Sequence, residues 1–242
     1  MRVFMASSKR LICVHGHFYQ PPRENPWLET VETQDSAAPY HDWNERICAE
    51  CYAPNGAARI VNIENQITHI LNNYGHISFN FGPTLLSWLK DNARRTYRMI
   101  LDGESRSRQR YGGHSSAMAQ VYNHMIMPLA STRDRITQIR WGIAVHRASF
   151  GIAPEGMWLA ETAADNETLQ LLAENGIKFT VLAPHQCKRI RPLNANADAE
   201  WIETRGSSVD TNRPYLVRFK SGASIAGPTC KVSARSCLAG AR

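Results

Sequence analysis

The chain has 242 residues, 43% of them apolar and 20% charged, and a formal charge of +7. That is the composition of a globular protein with one large or two small domains. It has no run of about 18 apolar residues, so no helical membrane span is expected. The N-terminus, MRVFMASSKRLICVHG, lacks the apolar core and small-residue cleavage site of a secretion signal, which predicts a cytoplasmic protein. The positive charge does not predict a nucleic-acid partner. Four of the seven net charges (Lys220, Lys231, Arg235 and Arg242) sit in an acid-free C-terminal stretch, and the arginines of residues 92–114 alternate with acids and polar residues. Of the six cysteines, Cys48 and Cys51 have metal or redox spacing but lack a second matching pair, so thiols in a reducing compartment are expected.

In chain order, RLICVHG is a short apolar run ending in glycine and reads as a buried strand. A long polar segment rich in Pro, Asn and aromatics follows, and a loop of that length is usually functional. AARIVNIENQITHILNNYG places Ile60, Ile63, Ile67, Ile70 and Leu71 at helical spacing, with Gly75 just past the end, and predicts a helix. HISFNFGP alternates and predicts a strand. TLLSWLKDNARRTYRMILDG predicts one helix, with Thr84 as N-cap and Gly103 as its stop. HSSAMAQVYNHMIMPLA predicts a helix or helix-loop, and TRDRITQIRWGIAVHRASFG a further helix. GMWL predicts a strand, DNETLQLLAENG a helix capped by Asp165 and closed by Gly176, and IKFTVLAP a strand. Alternating strands and helices point to an α/β protein with a parallel sheet or barrel. TNRPYLVRFKSGASIA reads as a hairpin about Ser221-Gly222. From Gly227 the periodicity stops. The expected organisation is one partial domain over residues 1–226 and an irregular tail over 227–242.

In parallel α/β folds, ligands bind at the carboxyl ends of the strands. Glu161, just past the strand GMWL and beside Trp158, is placed to act as nucleophile or general acid, or alternatively to cap a neighbouring helix. His15 and His17 are two apart and face the same way on an extended strand. Such a pair suits a metal or a polar ligand, or splits into one core and one exposed histidine. His124, in VYNHMIMP, has apolar neighbours and reads first as a satisfied core histidine. DGES, Asp102 to Ser105, has the look of a carboxylate pair but is expected to be a helix-ending turn.

Three of these segments occur in the order of a known family. HGHFYQPP resembles the His-Gln-Pro signature of glycoside hydrolase family 57, with two residues inserted before Gln-Pro. YNHMIMPL resembles its His-containing second region, and GMWLAE its Trp-Leu-Pro-Glu region. The resemblance covers roughly residues 11–225 and implies an incomplete (β/α)7-type barrel with parallel strands. It implies an amylase, branching enzyme or 4-α-glucanotransferase that retains anomeric configuration and needs no metal or other cofactor. Carried over, Glu161 is the nucleophile, His15 or His17 and His124 hydrogen-bond the sugar, and Trp158 stacks on it. The partner implied is an α-glucan or oligosaccharide substrate, with no nucleic acid and no membrane; oligomeric state stays open.

A retaining enzyme needs a second carboxyl group. The family supplies an Asp from an Asp-Gly-Glu region downstream of the nucleophile. Here the later acids, Asp198, Glu200, Glu203 and Asp210, lack that context, and DGES precedes Glu161. The general acid is therefore expected to be missing from the chain, as in a truncated or frameshifted form. Two alternatives stand beside this reading: a metal-dependent hydrolase or deacetylase using His15 and His17, and a non-catalytic carbohydrate-binding remnant.

Overall fold

The computed structural model describes residues 12–196, 199–205 and 208–228. They fall into two compact units. The first comprises the chain up to Tyr19, Arg23–Asn80 and Leu89–Ala117; the second comprises Gln20–Pro22, Phe81–Trp88 and the chain from Met118.

In the first unit, strand β1 (His15–Phe18) is four residues long. Its expected start at Arg10 and Leu11 lies outside the described residues. The polar segment that follows is not all loop. Helix α1 (Trp43–Ile47) begins where the Asp42 carboxylate accepts the Glu45 N–H, and the chain continues through a π-helical turn at Cys48–Tyr52 and a helical turn at Ala53–Gly56. Cys48 lies buried in that turn, with its thiol 3.6 Å from Thr96 Oγ1.

The helix expected from residue 57 to 75 does not form. Strands β2 (Ala58–Val61) and β3 (Ile67–Leu71) pair antiparallel instead. The Asn62 side chain makes the turn between them, accepting the Glu64 and Gln66 N–H groups at 3.1 and 2.9 Å, and Asn65 is left-handed at φ 59°. The Asn62 side chain satisfies local backbone groups in a way a helix interior cannot use, and asparagine tolerates the left-handed conformation at 65. The isoleucines are β-branched, and their spacing of three and four fits a bulged hairpin as well as a helix.

Strand β4 (Ser78–Phe81) forms as expected. Its Ser78 N–H donates to Val14 O at 3.0 Å and its Phe79 N–H to Ser116 O at 2.9 Å. The single helix expected next is two, α2 (Pro83–Asn92) and α3 (Arg94–Arg110), broken at Ala93 with φ −131°. Proline, not Thr84, opens α2 at its first position, where its missing N–H costs nothing. Gly103 lies inside α3 and does not stop it. A Cβ there would stand 2.6 Å from Tyr74 Cβ, so the glycine is a point of close packing. Asp102 to Ser105 are therefore helical, and DGES is not a turn. Glu104 is buried and accepts the Ser115 hydroxyl at 2.8 Å. The first unit's aromatic core joins Phe18, Tyr52, Tyr74 and Phe79 edge to face, with Tyr74 OH donating to Tyr52 O at 2.9 Å.

The second unit carries the strand–helix–strand pattern. HSSAMAQV forms strand β5 (Ala117–Gln120), all four residues buried, rather than a helix. A short, wholly buried apolar run carries no period that separates the two. Helix α4 (Thr132–Phe150) follows, capped by Ser131 and closed by left-handed Gly151. Strand β6 (Met157–Trp158) pairs parallel to β5, with Ala119 opposite Met157 and Gln120 opposite Trp158. Helix α5 (Asn166–Glu174) is capped by Asp165, and Gly176 beyond it has φ 86°. IKFTVLAP runs on as an extended segment reduced to parallel bridges, Phe179 with Gly156 and Phe179 with Ala226.

Strands β7 (Pro214–Arg218) and β8 (Ser224–Pro228) form the expected hairpin. Residues 229–242 of the expected tail lie outside the described residues. Val121, Met127, Ile139, Met157, Leu159, Leu172, Ile177 and Ile225 form the core of this unit. Among the described residues no helix is long and apolar enough to cross a membrane.

Candidate active site

Parallel pairing makes β5 and β6 end on the same side, and their carboxyl ends carry the second unit's predicted site residues. Trp158 is the last residue of β6 and is half-buried. Leu159 is still buried, and the chain then turns through Ala160–Thr162. Glu161, at φ 53° and ψ 21°, and Thr162, at φ 54°, are consecutive residues in the left-handed region. Non-glycine residues rarely take that region, and a β-branched one is a true outlier. The Glu161 side chain is exposed.

At the end of β5, the Val121 N–H reaches Trp158 O at 3.4 Å. His124, three residues on, is also left-handed at φ 54° and half-buried. Its loop is set by Gln138 of α4, which accepts the Tyr122 N–H on its backbone carbonyl at 3.3 Å and the Asn123 N–H on its side chain at 2.7 Å. Thus both predicted polar groups of this unit sit on strained backbone at strand ends. Strain of this kind gathers at functional sites and persists where the surroundings over-determine it.

The loops that carry the two residues are tied by one buried cation. Arg135 of α4 donates to Ala130 O (3.0 Å) and Pro128 O (2.9 Å), both in the loop after His124. Its Nη1 also meets both Asp165 carboxylate oxygens at 2.8 Å, four residues after Glu161, and Thr168 Oγ1 at 3.2 Å. Burial works to raise the Asp165 pKa, but hydrogen bonds from Thr168 and Arg135 together outweigh it and hold the carboxyl below its ordinary range. Asp165 is a helix cap, as its place before α5 predicts.

In the first unit, His15 and His17 meet one residue, Asn80 of β4. His15 Nε2 is 3.1 Å from Asn80 Oδ1, and Nδ1 is 3.0 Å from Ser78 Oγ. His17 Nδ1 is 3.0 Å from Asn80 Nδ2. His17 Nδ1 also lies 3.2 Å from Asn80 Oδ1, so both imidazoles share the one amide. Burial lowers the His15 pKa; the Asn80 hydrogen bond opposes this and the neighbouring His17 adds to it. His17 is exposed and stacks along Tyr19, with centroids 6.2 Å apart. The two histidines thus share one hydrogen-bond partner, His15 half-buried and His17 exposed. Among the described residues no cluster of three or more His, Cys, Asp or Glu is arranged to hold a metal ion.

Sequence reasoning did not find Asn80, Gln138 or Arg135. Asn80 had a signal: a polar residue between Phe79 and Phe81, all three buried, has to find partners inside. Gln138 and Arg135 sit on a helix face whose burial the periodicity did not reveal.

The sequence of residues 14–225 matches the model of Glycosyl hydrolase family 57. A curated relative, Alpha-amylase 1 of Dictyoglomus thermophilum, is 26% identical over 106 residues, which cover 44% of this chain and 15% of the relative. Among solved structures, 4-alpha-glucanotransferase from Thermococcus litoralis aligns over 90% of this chain and 27% of its own, with TM-score 0.54 and 16% identity. A GH57 branching enzyme from Thermococcus kodakaraensis aligns over 90% and 47%, with TM-score 0.53 and 15% identity. The chain thus spans less than half the length of these relatives. The likeness shows the fold, which is α/β with parallel strands, of the incomplete (β/α)7-barrel type. With the family match running over residues 14–225, the chain belongs to glycosyl hydrolase family 57.

Proposed function

We propose that this chain carries the nucleophile of a retaining hydrolase or transferase acting on α-linked glucans, and that Glu161 is that nucleophile. The observation that carries the reading is the Glu161 turn: an exposed carboxylate on left-handed backbone just past a parallel strand. In the reaction, a Glu161 carboxylate oxygen attacks the anomeric carbon while the leaving oxygen takes a proton, forming a glycosyl ester that water or a sugar hydroxyl then opens. His124 hydrogen-bonds the sugar and Trp158 stacks on it. His15 and His17 serve as further sugar-binding groups, with Asn80 as their shared hydrogen-bond partner. The relatives, an alpha-amylase, a 4-alpha-glucanotransferase and a branching enzyme, support α-glucans as the substrate class.

The proton donor is the open part of the mechanism. Asp198 lies outside the described residues. Asp210 accepts from the Asn212 backbone and side chain at 3.0 Å and from Arg213 at 2.7 Å; these contacts, the Asn212 backbone bond first, lower its pKa. A carboxyl held ionised is a poor general acid. We infer that Asp210 is not the acid of this reaction. Without a proton donor an O-linked glucan turns over about 10² to 10⁴-fold more slowly than with a complete pair.

The test uses a donor that needs no acid. With 5-fluoro-α-D-glucosyl fluoride the departing fluoride needs no proton, so the ester on Glu161 accumulates and is mapped by peptide mass spectrometry. Labelling at Glu161 that Glu161→Gln abolishes supports the assignment; no labelling alongside saturable glucan binding selects a carbohydrate-binding protein instead.

A further inference from the structure

Two consecutive left-handed residues at Glu161 and Thr162 need something to hold them. The turn's own bonds, Thr162 N–H to Leu159 O at 3.0 Å and Ala163 N–H to Ala160 O at 2.9 Å, use two amides of the turn. They leave the Thr162 carbonyl to be satisfied from outside. Gln186 supplies that contact: its Nε2 donates to Thr162 O at 2.7 Å. The same side chain is held at its other end, where Oε1 accepts the Ala183 N–H at 2.7 Å. A flipped amide would set oxygen against oxygen and N–H against N–H, so the orientation is fixed.

The base of this clamp is firm as well. The segment leading to Gln186 lies along β6. Met157 N–H donates to Phe179 O at 3.1 Å, and the buried Thr180 hydroxyl donates to Met157 O at 2.7 Å. Gln186 therefore brings the end of the neighbouring extended segment onto the turn that follows β6. Gln186 also closes its own short helical turn, Pro184–Gln186, its N–H donating to Ala183 O at 3.0 Å; the bond to Thr162 O is the one that leaves that turn. We propose that Gln186 is a positioning residue that holds the Glu161–Thr162 backbone left-handed and so sets the direction of the Glu161 carboxylate. The chemical half of this statement rests on Glu161 being the nucleophile; the clamp itself does not.

A turn-capping role alone would need only the acceptor to Ala183. Gln186→Glu separates the two, because the carboxylate keeps that acceptor and loses the donor to Thr162. In the full chain without sugar, amide exchange of Thr162 and Ala163 is expected to quicken at least about ten-fold in this variant, with the melting temperature unchanged. The rate of Glu161 labelling by 5-fluoro-α-D-glucosyl fluoride is expected to fall about ten-fold at saturation, while the half-saturating reagent concentration stays put. Gln186→Met, of similar length and without either hydrogen bond, gives the same two readouts should the glutamate variant fail to fold. Exchange within two-fold of wild type overturns the clamp, whether or not Glu161 is labelled. Faster exchange with an unchanged labelling rate overturns the positioning role. Faster exchange in a chain whose wild type is never labelled at Glu161 removes the nucleophile assignment and leaves the clamp standing.

Discussion

Replacing Arg135 by methionine tests whether one buried side chain holds the His124 and Glu161 loops together. Arg135 is 5% exposed. The variant keeps the aliphatic volume and loses donors to two backbone carbonyls, to Thr168 and to Asp165. Each half-buried carbonyl left without its donor costs about 1 kcal/mol. The Asp165 side chain is 38% exposed, so solvent screens its loss, and the pair falls toward the lower end of the about 3–5 kcal/mol for a broken buried pair. Together these give a loss of about 5 kcal/mol. Urea denaturation, followed by intrinsic tryptophan fluorescence, to which Trp141 and Trp158 of the second unit contribute, reads it as a lower midpoint at unchanged slope.

The pH dependence supplies an independent check. The Asp165 pKa is depressed in the folded chain, so its contribution is present above the unfolded value of about 3.9 and lost as pH falls through the folded value. In Arg135→Met that acid-side loss shrinks, because less depression remains to be lost. A destabilisation below about 1 kcal/mol, or an acid limb unchanged from wild type, would refute the idea that Arg135 ties these loops.

Two further outcomes follow from the same reasoning. Asn80→Ala removes the shared partner of His15 and His17 and costs about 1–3 kcal/mol; since the Asn80 hydrogen bond opposes the lowering of the His15 pKa, nitrogen-detected NMR titration should show that pKa fall further in the variant. In wild type the lowered value means that His15 contributes stability fully above about pH 6.5 and loses it as pH falls through the folded value. Gly142→Ala tests the seating of α4 on β5: intrinsic helix propensity favours alanine by about 1 kcal/mol, but a Cβ at Gly142 would collide with the Gln120 carbonyl, so thermal melting should show net destabilisation, and a stabilised variant would place α4 elsewhere.

Apart from β5, expected as a helix, and the IKFTVLAP segment, the second unit was legible in the sequence because its signals are local. Asp165 caps α5 through a backbone three residues away, Gly176 closes the same segment, and the β7–β8 hairpin turns where Ser221-Gly222 allows it. The first unit was less legible for an equally local reason. Isoleucines at spacings of three and four satisfy a helix and a hairpin alike, and the deciding groups were the Asn62 and Asn65 turn, not the apolar residues. The three motif segments and the place of Glu161 after a buried strand could be read along the chain.

What the chain alone determined was where the candidate groups lie: a carboxylate and three histidines near strand ends. What only the tertiary structure decided was how they are held. Asn80 bridging two histidines across 63 residues, Arg135 spanning 30 to reach Asp165, and Gln186 reaching back 24 to Thr162 are contacts with no sequence period. They arise because burial forces each polar group to find a partner, and which partner stands within reach is set by strand pairing and helix seating rather than by neighbours in the chain.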